Sequence, residues 1–195
     1  MLNLNQFFNL KIMLMKKLTF GIVVLAAGLI MSSSVFAQKK NAIKVNIFSP
    51  IVRTGSFFYE RALSDGASAQ LGFFYTGYKV TDTKFTGFGI TPEVRIYPSK
   101  NEDIKGFYVA PFLRYQNFTL KDEVTASKGT LSTFGGGVLI GGQFLFGNIV
   151  TLDIFIGPAY NTGSIKVDSG SESDFSTGAF DGFGVRTGVT LGLAF

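Results

Sequence analysis

Apolar and polar residues alternate along most of the chain after residue 41, most clearly in its last segment, Phe183–Phe195. In this segment, phenylalanine, valine, threonine and leucine side chains occupy every second position. Small or polar residues, among them Gly184, Arg186 and Thr190, lie between them. A period of two places the two sets on opposite faces of a β-strand. The segment therefore predicts a strand with one apolar face and one small, polar face.

The same alternation recurs in seven further segments, separated by turn residues such as Ser64-Asp65-Gly66 and Gly147-Asn148. Two longer polar segments, Lys121–Thr130 and Thr162–Thr177, are predicted to be loops. The eight predicted strands are Ala42–Phe48, Ser56–Leu63, Ser68–Tyr78, Phe85–Tyr97, Gly106–Phe118, Leu131–Phe146, Ile149–Asn161 and Phe183–Phe195.

The predicted strands have the features of an all-β, eight-stranded, antiparallel up-and-down transmembrane β-barrel. Connections are short after the second, fourth and sixth strands and mostly longer or more polar after the third, fifth and seventh. Aromatic residues also gather near strand ends, which is typical of two interfacial girdles. The predicted girdle residues are Phe57, Tyr59, Tyr75, Tyr97, Phe107, Tyr115, Phe144, Phe146, Tyr160 and Phe195. Proline has no ladder donor, so we expect Pro92, Pro111 and Pro158 at bulges or near a rim.

The first 37 residues have the pattern of a cleavable signal peptide. Lys16 and Lys17 precede an apolar stretch from Leu18 to Met31, and small residues at 35 and 37 predict cleavage after Ala37. The domains are then residues 1–37, the signal peptide, and residues 38–195, the outer-membrane β-barrel. Met15 is a natural start, in which case residues 1–14 are an upstream extension. The alternative is an uncleaved anchor, but the apolar run is shorter than the roughly 20 residues of a membrane-spanning helix.

Charge and composition exclude several classes of function. Removing residues 1–37 takes away three lysines and no acid, which leaves 15 basic and 13 acidic residues and lowers the net charge from +5 to +2. This balance gives no support for nucleic-acid binding. The chain has no cysteine and no histidine, so it lacks a thiolate and the commonest general base. We expect no catalytic residues, no metal site, no cofactor and no enzymatic activity.

Charged residues of both signs fall on the predicted inward faces. Unpaired charges in a narrow lumen are costly, so we expect them to pair into a network that fills the barrel. The alternative is a gated path for ions or protons through that network. The residues of the predicted lumen charge network are Lys44, Glu60, Glu93, Arg95, Arg114, Asp153 and Arg186.

Two further patterns have simple structural interpretations. The glycine run from Gly135 to Gly142 is followed by no helix and no Lys-Ser/Thr pair, so it predicts space for larger lumen neighbours instead of a phosphate loop. Asp168, Glu172 and Asp174 are placed in one external loop. A surface calcium site is conceivable there, but the spacing does not match an EF-hand, and we expect a solvated acidic loop.

Several segments resemble a family of small bacterial outer-membrane β-barrel proteins of unknown function. The family-like parts are Ser56–Asp65, Gly89–Tyr97, Gly106–Tyr115 and the glycine-rich closing strand. The resemblance spans Asn41 to Phe195, and more distantly the chain is similar to the OmpA-type or OmpX-type eight-stranded membrane domain. The resemblance implies the barrel fold and placement in the bacterial outer membrane. It implies no catalytic residues.

We therefore expect a monomeric outer-membrane barrel with a plugged polar lumen and a structural or interaction role. Its expected partners are outer-membrane lipid, an unidentified loop ligand and the barrel-assembly machinery, which would recognise Phe195 as a C-terminal signal. Three alternatives stay open: a narrow channel, a membrane enzyme of the same fold, and a soluble ligand-binding barrel of lipocalin type. In the last case Arg186, Arg95 and Glu93 would face water and the apolar row would face a cavity.

Overall fold

A computed structural model describes residues 39–80, 83–99, 104–122, 127–170 and 182–195. Within these residues, eight antiparallel strands close into one barrel in chain order, and the last strand pairs with the first. The predicted eight-stranded fold is confirmed. The strands are β1 (Asn41–Asn46), β2 (Thr54–Ser64), β3 (Ala67–Val80), β4 (Thr83–Ile96), β5 (Gly106–Asp122), β6 (Lys128–Phe146), β7 (Val150–Ser169) and β8 (Gly182–Ala194).

The barrel is apolar outside and polar inside. Outward side chains such as Leu71, Val94 and Ile140 are about half exposed, whereas inward Lys44 and Arg95 are almost completely buried. The alternation of the sequence causes this arrangement, because each strand directs one set of side chains to each face. A water-soluble barrel of lipocalin type would have the opposite polarity. Among the described residues, no helix is long and apolar enough to span a membrane.

Strands β5, β6 and β7 extend into segments that were predicted to be loops. β5 ends at Asp122, β6 begins at Lys128 and β7 continues to Ser169, so both predicted loops lose residues to strands. An apolar cluster explains the extension: Phe85, Phe118, Leu120 and Leu131 are buried on the inner face, and Ile165 and Val167 pack against them. The alternation therefore continues through segments that look polar overall.

Two connections have informative backbone geometry. Gly147 and Asn148, between β6 and β7, both adopt positive φ, at 57° and 58°. A type I′ hairpin turn needs positive φ at both central residues, so this turn is the predicted hairpin. The connection between β4 and β5 is longer, and residues at both of its described ends are buried. Its Tyr97 and Ile104 are only 3% and 2% exposed, so the prediction of Tyr97 as a girdle residue is wrong.

The three prolines do not lie at bulges. Pro92, Pro111 and Pro158 lie within β4, β5 and β7, and their rings face outward. The register shifts recorded for the described strands are elsewhere, between Ala62 and Ser64 and between Lys128 and Gly129. The expectation fails because a proline whose ring faces outward costs one ladder hydrogen bond but needs no change of register.

Inward glycines lie directly opposite inward aromatic rings. Gly72 pairs with Phe58, and Gly137 pairs with Phe112. A Cβ atom at Gly72 would lie 2.9 Å from the Phe58 ring, and one at Gly137 would lie 3.0 Å from the Phe112 ring and collide with the Pro158 carbonyl oxygen. Phe74 lies over Gly89, Tyr108 over Gly141 and Phe155 over Gly188 in the same way. The glycines therefore provide the space that lets large rings lie flat against the wall of a narrow barrel.

Replacing Gly137 by alanine is expected to destabilise the barrel by about 1–3 kcal/mol, because neither the Pro158 backbone nor the packed Phe112 ring can withdraw freely. The measurement is the temperature at which the folded band disappears on a denaturing gel, which should fall by several degrees. Gly77→Ala is the matched control, since a Cβ atom there meets nothing within 4 Å. Equal loss in both variants would contradict the packing argument.

Candidate functional site in the barrel interior

Lys44 projects from β1 into the lower half of the lumen, toward the β2–β3, β4–β5 and β6–β7 connections. Its Nζ atom donates to Glu60 Oε2 at 2.6 Å and to Gln143 Oε1 at 2.7 Å, and it lies 3.4 Å from Asp153 Oδ2. The side chains of Lys44, Glu60 and Asp153 have no solvent exposure. One ammonium group therefore links β1 to β2, β6 and β7 across the lumen.

Arg95, from β4, is the second centre of the same region. Its guanidinium donates from Nε to Glu93 Oε1 at 2.7 Å and from Nη1 to Gln143 Oε1 at 2.9 Å. Nη1 also lies 3.5 Å from Glu60, and Nη2 lies 2.9 Å from Asp153 Oδ2. The Asp153 contact is misaligned for a hydrogen bond and acts as an ion pair. The planar guanidinium thus neutralises charge on three carboxylates at once.

Two tyrosines and one backbone carbonyl complete the lower network. Tyr97 donates its hydroxyl to Glu60 at 2.7 Å, and Tyr108 donates its hydroxyl to Asp153 at 2.7 Å. Gln143 Nε2 donates to the carbonyl oxygen of Ile104 at 2.5 Å, which ties the β4–β5 connection to the lumen. Tyr97, Tyr108 and Gln143 are not among the residues predicted for the network. The inward alternation of β5 and β6 was the available signal for the last two.

The upper half of the lumen, toward the β1–β2, β5–β6 and β7–β8 connections, holds the remaining predicted charges. Arg186, from β8, donates from Nη1 to Glu93 Oε2 at 3.0 Å, and its guanidinium lies 4.6 Å from the Phe112 ring centroid. Arg114, from β5, donates from Nε to Thr91 Oγ1 at 3.3 Å. Among the described residues, Arg114 has no carboxylate within ion-pair distance. The predicted charges other than Arg114 therefore form one paired set in which Glu93 bridges Arg95 below and Arg186 above. Arg114 stands apart from this set without a carboxylate partner among the described residues.

The lower network stabilises the barrel only when all of its buried charged groups are present. Removing a buried carboxylate or ammonium group from water costs several kcal/mol, and short ion pairs with additional hydrogen bonds offset that cost. Glu60 accepts hydrogen bonds from Lys44, Ser68 and Tyr97 as well as the Arg95 charge. Its oxygens are saturated by neighbours. Such an arrangement fixes the strands relative to one another and leaves its carboxylates little capacity to act as general bases.

The predicted acidic loop is only partly within the described residues. Asp168 lies near the end of β7, on the exposed face, and not in a loop. Glu172 and Asp174 lie outside the described residues. Where the structure describes the chain, no three acidic side chains gather into a group that could hold a metal ion.

A closed antiparallel barrel with an apolar exterior and an ion-paired interior is the architecture of transmembrane β-barrels. The chain belongs to the family described as "Protein of unknown function (DUF3575)", whose model matches residues 20–168. No curated protein matches the chain.

The solved structures that are similar to the chain include three outer-membrane barrel proteins. The N-terminal β-barrel domain of Pseudomonas aeruginosa OprF has 14% identity and a TM-score of 0.43, covering 81% of this chain and 98% of that one. A major outer membrane protein from Thermus thermophilus has 15% identity and a TM-score of 0.47, with coverages of 80% and 98%. Acinetobacter baumannii CarO has 10% identity and a TM-score of 0.41, with coverages of 82% and 97%. Likenesses at this level carry no information about function.

Replacing Lys44 by methionine is expected to destabilise the barrel by about 3–5 kcal/mol, because Glu60 and Asp153 then lose a buried counter-charge. Urea unfolding in lipid bilayers measures the change. The double variant Lys44→Met/Glu60→Gln should recover part of the loss, since it removes one charge of each sign. Lys84→Met, on the exposed face of β4, is the matched control and should stay near wild type. A loss in Lys44→Met no larger than in this control would contradict the network's role.

Proposed function

We propose that the protein is a monomeric, non-conducting barrel of the bacterial outer membrane with a structural or interaction role. In this proposal, residues 1–37 direct export and are removed, and the assembly machinery recognises Phe195. The lower charge network plugs the lumen, and the externally placed strand ends and connections contact other molecules. The protein carries out no chemical step. The observation that carries the proposal is the set of buried, directly paired charges in the lower lumen.

The height of the apolar band on the outer surface of the barrel supports membrane insertion. Phe134 and Phe144 both face outward on β6, ten residues apart, which is about 33 Å along a strand. Strands of membrane barrels are tilted by about 40°, so this distance corresponds to an apolar band about 25 Å tall. An upper aromatic band continues round the barrel from Phe134 through Tyr115 and Phe88. It also includes Tyr160 and Phe183, whose rings lie 5.4 Å apart.

The packing of charged side chains in the lower lumen supports the proposal that the barrel does not conduct ions. Lys44, Arg95 and their carboxylate partners fill the section with direct contacts of 2.6–3.5 Å, and Gln143 holds Ile104 across the end. An eight-stranded barrel has an interior just wide enough for side chains. An ion would have to break several of these charge pairs to pass.

The upper strand ends support an interaction role. β7 continues nine residues beyond Tyr160, and β6 begins six residues before Phe134, so both strands rise well above the upper aromatic band. Their outer faces carry polar side chains such as Lys166 and Asp168. A rigid, polar sheet that projects from a membrane barrel is suited to contact with other molecules.

Membrane insertion is tested by fractionation and gel migration. We expect the mature protein in the outer-membrane fraction, migrating faster on a denaturing gel before heating than after heating, because a folded barrel resists detergent. Replacing outward Ile140 by aspartate should reduce the folded fraction strongly, since charge on the lipid face is destabilising. Asp168→Asn, above the aromatic band, is the control. Recovery of the mature protein as a soluble periplasmic species would overturn the proposal.

Conduction is tested in planar bilayers, where the wild-type barrel should give no current steps at any voltage. The double variant Tyr97→Ala/Tyr108→Ala should produce measurable current, because it removes two rings that are packed 5.5 Å apart in the lower lumen. Tyr59→Ala/Tyr75→Ala removes two outward rings and should stay silent. Current steps from the wild-type protein would support the alternative, a narrow gated channel.

A further inference from the structure

Among the described residues, the barrel wall has a gap in its strand pairing above its shortest strand, β1. β1 ends at Asn46, and its pairing with β8 ends at the contact of Ile47 N with Val189 O, at 3.1 Å. Residues 182–188 of β8 pair with β7, and in the described part of the chain no strand pairs with their other edge. β1 likewise stops pairing with β2 at Phe57. The upper edges of β2 and β8 therefore border one opening, beside the short 3-10 helix Ser49–Val52.

A cavity of about 280 Å³ lies behind this opening. Ser56 and Thr54 border it on the β2 side, and Val185 and Thr187 border it on the β8 side. Val185 and Thr187 face the outside of the barrel, so the cavity extends from the lumen to the outer wall. Val185 lies two residues below Phe183 of the upper aromatic band, which places the opening at the edge of the adjoining lipid leaflet.

The inner wall of the cavity is cationic. Arg114 and Arg186 both line it, and Glu93 is the ion-pair partner of Arg186. The seven predicted lumen charges comprise four cations and three carboxylates. Arg114 is the cation without a carboxylate partner among the described residues, so one positive charge is left over at its level. The rest of the wall combines hydroxyl groups, such as Thr91, with the rings of Phe58, Phe74 and Phe155.

We propose that this cavity binds a single-chain anionic amphiphile, with its acid group on Arg114 and Arg186 and its alkyl chain leaving through the gap between β2 and β8. A guanidinium fork matches a carboxylate or phosphate in two parallel hydrogen bonds. The aromatic walls and the opening toward lipid accommodate an apolar chain, which a small inorganic anion does not have. This site lies above the lower network, to which Glu93 connects it. The proposal rests on the proposed membrane placement and not on whether the barrel conducts.

The test is native mass spectrometry of the mature protein released from a neutral detergent, with decanoate as the probe. Wild-type protein should bind one decanoate, and Arg114→Gln should weaken binding at least about tenfold, because a charge-assisted hydrogen bond is lost. Arg114→Lys, which keeps the charge and loses the fork, should bind with intermediate affinity. Arg61→Gln changes an exposed arginine on the outer face of β2 and is the matched control.

A second pair of variants tests the opening without touching the charges. Val185→Trp should obstruct the gap and reduce decanoate binding, whereas Leu193→Trp, also exposed on β8 but near its other end, should not. Decanol and acetate test the ligand class, and both should bind at least about tenfold more weakly than decanoate. Equal binding by Arg114→Gln and wild type, or by decanol and decanoate, would overturn the proposal. If acetate bound as tightly as decanoate, the site would be one for small anions, and the proposal of an amphiphilic ligand would be wrong.

Discussion

The ion pairs of Arg95 are the interaction on which the rest of the interior depends. From β4, this side chain reaches Glu60 on β2, Asp153 on β7 and Gln143 on β6, and it lies 4.3 Å from the Tyr108 ring centroid on β5. Its partners therefore come from strands all round the barrel. A backbone ladder joins only neighbouring strands, so these charges supply the contacts across the lumen that an apolar core supplies in a soluble protein.

The inward glycines provide the space that these contacts need inside the narrow lumen. A Cβ atom at Gly141 would collide with the Tyr108 ring, and that ring is held by Arg95 and by Asp153. The glycine, the ring and the charge pair therefore form one continuous arrangement from the wall to the lumen centre. The alternating sequence has two consequences, since its outer set makes the barrel compatible with lipid and its inner set provides both the charges and the space for them.

The fold could be predicted from the sequence because a period of two is a local signal that each strand carries by itself. The pairing register between strands could not be predicted in this way, because it depends on segments that are far apart in the sequence. The β4–β5 connection looks like an ordinary polar turn, and only the closed barrel brings Tyr97 to Glu60 and Ile104 to Gln143. The partner of each lumen charge could not be predicted either, because the stagger between strands decides which levels meet. The extension of β7 through Val167 was hidden by the polar residues that alternate with its buried face.

The two ends of the lumen differ because β1 is short. At the lower end, the strand is fully paired on both sides, and its Lys44 closes a compensated network. Above Asn46, no strand of the described residues pairs with the free edge of β8. At this level Arg114 has no carboxylate partner among those residues, whereas Arg186 is paired with Glu93. A barrel that served only as a rigid scaffold would gain from continuing β1 upward and from an acid opposite Arg114. The coincidence of an open wall and a surplus cation at one level is a reason to regard the upper lumen as a binding site and the lower lumen as its floor.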